Sequence, residues 1–112
     1  MENFNWSKSE KTIARNSFQA AYRRECAAIA DKLKQMAVSV KEPPDLWQIH
    51  DYLTEMKEQT DIKYDYRYSV LISVFANLLN EGWLKESDLV GLHKDKIETI
   101  NKLARLRREI WA

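Results

Sequence analysis

Acid–base or nucleophilic chemistry in this 112-residue chain would fall to His50, His93 and Cys26, its whole complement of histidine and cysteine. None has a partner at a catalytic spacing. A Cys–His pair would need tertiary proximity, and free cysteine is among the most buried residue types, so a buried, inert Cys26 is the expectation. His50 and Asp51 are neighbours, and on a helix they diverge by about 100°, so they do not converge on one metal ion as i,i+4 pairs can. No Gly-x-Ser-x-Gly turn is present. The same residues suit binding better. Trp47, His50, Asp51, Thr54 and Lys57 fall in one arc of a helix, opposite an apolar arc of Leu46, Ile49, Tyr52, Leu53 and Met56. A solvated face normally carries Lys, Glu and Gln, whereas Trp with charged neighbours is the composition of a protein-binding hot spot. The competing reading has Trp47 capping the core beside a proline turn, with His50 and Asp51 as ordinary surface residues.

That face must be positioned by helices. The chain holds two Gly and two Pro, and the prolines are adjacent at Pro43-Pro44. Strand-rich folds need many turns, and glycine supplies their positive-φ positions, so a β-sandwich, a barrel and a glycine-rich phosphate loop are all excluded. Ser7-Lys8-Ser9-Glu10 reads as a capping box that opens a helix running to about Val40. Cys26, Ile29, Leu33, Met36 and Val40 repeat at spacings of three and four, a heptad-like seam extended N-terminally by Phe18 and Tyr22. Such a helix is about 50 Å long, against a radius of gyration of about 13 Å for a compact domain of this size. Its stripe calls for a second chain, so a homodimer is expected, with Ile29, Leu33 and Met36 in the interface.

The second helix is expected from about Asp45 to about Thr60. The third starts between Asp61 and Asp65 and ends at Gly82, apolar on most sides except for the stripe Ser69, Ser73, Asn77 and Glu81. A short turn of helix follows Ser87-Asp88 and stops at Gly91. The last helix runs from about Lys94 to Trp111, with Ile97, Ile100, Leu103, Ala104 and Ile110 inward. The whole reads as one all-α domain over 1–112, in which the two helices of about 7–60 dimerise and about 61–112 form a smaller helical head.

Eighteen basic and seventeen acidic residues give a net charge of +1, so no global attraction to nucleic acid or anionic membrane follows. The last helix is basic through Lys94, Lys96, Lys102, Arg105, Arg107 and Arg108. A nucleic-acid role is the alternative it suggests, against a solvated face that suits a helix C-terminus. Tyr64, Tyr66 and Tyr68 could stack on bases or a pigment, or pack as a core rim with wet hydroxyls. The lone Cys26 suits a reducing compartment. The Met1-Glu2-Asn3-Phe4-Asn5 start is not a targeting signal, and no stretch is apolar enough to span a membrane.

Asp45-Leu46-Trp47-x-x-His50-Asp51-x-Leu53, then Asp61-x-Lys63-Tyr64-Asp65-x-Arg67-x-Ser69-Val70 and Val74-Phe75-Ala76, resemble the fluorescence recovery protein family of cyanobacteria. Trp6-Ser7 and Phe18-x-x-x-Tyr22-x-Arg24-Glu25 match its N-terminal part, and the resemblance extends from Trp6 to about Gly82. It implies an all-helical homodimer that is not an enzyme and carries no cofactor. It implies a cytoplasmic protein, acting at the thylakoid antenna in a cyanobacterium, whose partner is the photoactivated orange carotenoid protein. The family speeds that partner's return to the resting form and helps detach it from the phycobilisome. Trp47, His50, Asp51 and Lys57 take the place of its partner-binding patch. The family pattern has an arginine where Lys57 stands, a bulky aromatic at Ser73 and a dimer-seam leucine at Ala30. Lysine lacks the planar fork of arginine, and these departures fit a relative that acts on a different partner.

Overall fold

In the computed structural model, which describes residues 4–111, the regular elements are all helical: α1 (Lys8–Val38), α2 (Pro43–Lys63), α3 (Leu71–Glu81), a 3-10 turn (Glu86–Leu89) and α4 (Lys94–Trp111). Most of the N-terminal segment read as free of a targeting signal, residues 1–3, lies outside the described residues. The capping box forms as expected. The Glu10 amide donates to Ser7 Oγ at 3.2 Å, and the Ser7 amide donates to Glu10 Oε1 at 3.1 Å. At the start of α2, Pro43 needs no N–H partner, and the Asp45 carboxylate accepts the Lys41 and Glu42 amides at 3.0 Å each. These bonds hold the Asp45 carboxyl below its usual pKa.

The long helix projects as its length requires. The chain measures 54 × 31 × 21 Å, with a radius of gyration of 16.8 Å. Its core lies at one end, where Leu71, Phe75, Leu78, Leu84, Leu89, Ile100 and Ala104 of the head pack against Ala14 and Ala21 of α1. Helix α3 is the most buried element, as its all-round apolar sequence predicts. Gly82 caps it in the left-handed conformation at φ 84°. Gly91 ends the turn after α3 at φ 104°, where a Cβ would stand 2.5 Å from Ile13 Cδ1.

Several expectations change. Helix α2 runs on to Lys63, and α3 begins at Leu71 rather than between Asp61 and Asp65. Residues 64–67 are not helical; here Tyr64, Tyr66 and Tyr68 insert their rings against α1. Tyr64 meets Phe18 and Tyr22 at centroid separations of 5.4 and 5.0 Å, and Tyr66 meets Phe18 at 4.9 Å. The seam of α1 therefore divides. Phe18 and Tyr22 are met by the chain's own tyrosines, while Ile29, Leu33 and Met36 stay half-exposed. Ile110 points to solvent and not inward, because α4 outruns the shorter α3 there. Cys26 is half-exposed rather than buried.

The buried face of α1 is Glu10, Ala14, Ser17, Ala21 and Glu25. Small residues at its centre let the head approach closely, and the Ser17 hydroxyl donates to the Asp88 carbonyl at 2.7 Å. Each end carries a buried carboxylate that is fully engaged. Glu10 accepts the His93 amide at 2.9 Å and pairs with Lys96 at 2.9 Å, which joins the first turns of α1 and α4. Burial raises the Glu10 pKa, but the His93 and Ser7 amides and the Lys96 ammonium outweigh it and bring the group from 4.5 to about 2. A depressed carboxyl stabilises the fold above its unfolded pKa and loses that contribution as pH falls. Urea unfolding should therefore show roughly 3 kcal/mol of stability disappearing between about pH 5 and pH 2 through this group. Glu10→Gln should flatten that stretch of the profile. A variant whose acid profile matched the wild type would show that Glu10 is not its source.

Candidate functional site

Helix α2 presents Trp47, His50 and Asp51 within one turn of each other, immediately after the proline turn that begins it. Trp47 is 62% exposed, so it does not cap the core. His50 and Asp51 are also exposed, and His50 Nδ1 lies 3.4 Å from Asp51 Oδ1, at the outer limit of a hydrogen bond. Leu46, 50% exposed, and Leu53, 37% exposed, lie on the other, apolar arc of the helix. An exposed indole flanked by a carboxylate and an imidazole offers buried area and orientation to a docking protein.

Lys57 lies further along the helix and is engaged elsewhere. Its Nζ donates to both Asp61 oxygens, at 2.8 and 2.6 Å, across one helical turn. The Asp61 hydrogen bond raises the lysine pKa. The structure thus brings Trp47, His50 and Asp51 together and sets Lys57 in a separate pair with Asp61, a pairing that the sequence reading did not single out. Its signal was the i,i+4 spacing of opposite charges.

The apolar arc opposite Trp47 is not covered by the chain itself. Ile49, Tyr52 and Met56 remain half-exposed, and Thr60 is the buried residue of α2. Ile29, Leu33 and Met36 of α1, which runs against α2, are likewise half-exposed.

What fixes α2 to the rest is a polar cluster that sequence reasoning missed. Glu25, on the buried face of α1, accepts Lys63 Nζ at 2.7 Å and Tyr64 Oη at 2.8 Å, and Lys63 also pairs with Glu81 at the end of α3 at 2.7 Å. Burial and the Glu25 carboxylate push the Tyr64 hydroxyl far above its usual pKa. Burial acts to lower the Lys63 pKa, but Glu25 and Glu81 prevail and raise it. Arg24 ties α1 to the head, donating to Asp88 at 2.7 Å and to the Trp83 carbonyl at 2.9 Å.

Among the described residues, no group of three or more His, Cys, Asp or Glu side chains could hold a metal ion, and no helix is long and apolar enough to cross a membrane. The exposed α2 residues carry no structural duty, so Trp47→Ala, His50→Ala and Asp51→Ala should each change unfolding free energy by less than about 0.5 kcal/mol. A loss of several kcal/mol in urea titration would mark the patch as part of the fold.

The family model for the photoprotection regulator fluorescence recovery protein matches residues 6–104. The fluorescence recovery protein of Synechocystis sp. is 40% identical over 101 residues, which cover 90% of this chain and 93% of that protein. The solved structure of the Fremyella diplosiphon fluorescence recovery protein superposes with a TM-score of 0.84 at 42% identity, over 90% of this chain and 99% of that one. A structure of an arginine-to-lysine variant of the Synechocystis protein gives the same TM-score at 40% identity, with the same coverage of both chains. The match includes the exposed tryptophan face of α2, the proline turn that places it and the head that anchors it, and the chain belongs to the fluorescence recovery protein family of photoprotection regulators.

Proposed function

We propose that the chain works as a homodimer that binds the photoactivated orange carotenoid protein and speeds its return to the resting form, so that phycobilisome fluorescence recovers. The observation that carries this reading is an exposed Trp47 with His50 and Asp51 beside it, in a chain of this family. Trp47 is the apolar anchor, and the charged groups fix the orientation of the docked protein. Ile29, Leu33 and Met36 of α1 form the dimer seam together with Ile49 and Met56 of α2. These are apolar side chains that one chain leaves half-covered.

The work is a shift of population. A partner that binds the resting-like arrangement more tightly than the activated one moves the equilibrium back, and preferential binding of the transition state raises the rate. No bond is made or broken, and no nucleophile, metal or cofactor is called for. The pairing of Lys57 with Asp61 favours a second reading, in which this member serves a different partner protein. A lysine held by its neighbour offers less to a docking carboxylate than the arginine of the family pattern.

The test is to illuminate an orange carotenoid protein, add the chain and follow the colour reversion in darkness. Wild type should accelerate it, Trp47→Leu should reduce the acceleration at least tenfold, and the mass of the variant in solution should equal that of the wild type. Equal acceleration by Trp47→Leu overturns the role of the tryptophan face. No acceleration by wild type favours the different partner.

A further inference from the structure

The α3–α4 face carries a cation without a counter-ion among the described residues. Arg107 is half-buried, and its guanidinium reaches neutral acceptors: Nη1 donates to the Ser73 carbonyl at 2.8 Å and to Asn77 Oδ1 at 2.5 Å, and Nη2 donates to Ser73 Oγ at 2.6 Å. No ion pair among the described residues involves it. A guanidinium has five N–H donors, so Nε–H and one Nη2–H have no acceptor among the described residues. Those groups belong to the planar fork that takes a carboxylate in two parallel bonds. Burial lowers the Arg107 pKa, yet an arginine stays charged, and a partly buried charge with only neutral acceptors gains from an ionic partner.

The surroundings suit a protein segment. Ser73 and Asn77 also line a groove of about 530 Å³ together with Ile62 and Val70. Ile62 is 82% exposed, and Leu106 and Ile110 of α4 are exposed beside Arg107 in the helix. The other charges of the groove are already matched, Lys63 with Glu81 and Asp65 with Arg67. We propose that Arg107, held in place by Ser73 and Asn77, anchors an acidic side chain of a partner protein whose flanking apolar residues lie along Ile62, Leu106 and Ile110. This surface is distinct from the tryptophan face of α2 and does not depend on which protein that face binds. Nucleic acid fits less well, because Glu98 and Glu109 interrupt the basic residues of α4 and Lys94 is paired with Glu98, whereas duplex binding needs several free cations along the backbone.

The full chain can be titrated with a blocked peptide of glutamate and leucine, with its glutamine counterpart and with a short DNA duplex, while the arginine Nε–H resonances are followed by NMR. The Arg107 Nε–H signal should move saturably with the glutamate peptide, and the glutamine peptide should bind at least tenfold more weakly. Arg107→Gln should weaken the glutamate peptide at least tenfold, whereas Arg105→Gln, on the same helix, should change it less than twofold. If Arg107→Gln does not fold, the wild-type titration still decides. An unmoved Arg107 signal, equal binding of the two peptides, or tighter binding of the duplex overturns the proposal.

Discussion

The Glu25 carboxylate is the constraint on which the rest of the molecule depends. It sits on the buried face of α1 and takes an ammonium from the last turn of α2 and a phenol from the residue that follows. Lys63 then passes the connection to Glu81 at the end of α3. A buried ion pair is a weak source of net stability, because desolvation offsets most of the attraction. Its value here is geometric. A carboxylate buried in the middle of a long helix must find its donors, and only one path of α2 past α1 delivers both Lys63 and Tyr64 to it.

Consequences run in both directions along the chain. Toward the head, the fixed Tyr64 starts a run in which alternate tyrosines face α1, and α3 cannot begin until Leu71. Toward the other end, α2 is carried alongside the C-terminal half of α1, beyond the core. The two helices then share apolar side chains that neither can bury alone, and the opposite side of α2 is left clear for Trp47. A region so poor in its own core is a suitable place for recognition, because substitutions on the open face of α2 do not disturb the packing of the head.

Much of this was legible in the sequence where a single local rule decided the outcome. Ser7 and Glu10 marked the start of α1, Pro43-Pro44 the break before α2 (placed at about Asp45, two residues late), Gly82 the end of α3, and Lys94 the start of α4. Trp47, His50 and Asp51 were legible because helical periodicity set them apart from Leu46 and Ile49. The start of α3 was misplaced because no Gly or Pro stands between Pro44 and Gly82, so nothing marked the non-helical stretch between α2 and α3 and the third helix was expected directly after the second. The alternation of Tyr64, Tyr66 and Tyr68 at a period of two was the available signal for extended chain. The split of the α1 seam could not be read, since it rests on contacts between Phe18 and residues nearly fifty positions away. The donors of Glu25 and the neutral acceptors of Arg107 were hidden for the same reason: sequence shows that a charge exists, not where tertiary packing takes it.

The proposed homodimer carries one physical requirement, that a second copy cover the stripe of Ile29, Leu33 and Met36 with Ile49 and Met56. Light scattering on the full chain at micromolar concentration measures this without any partner or variant. A mass of two 13.3 kDa chains is the expected result. A helical, folded species at the mass of one chain would show that the stripe stays open in water, and would contradict the requirement.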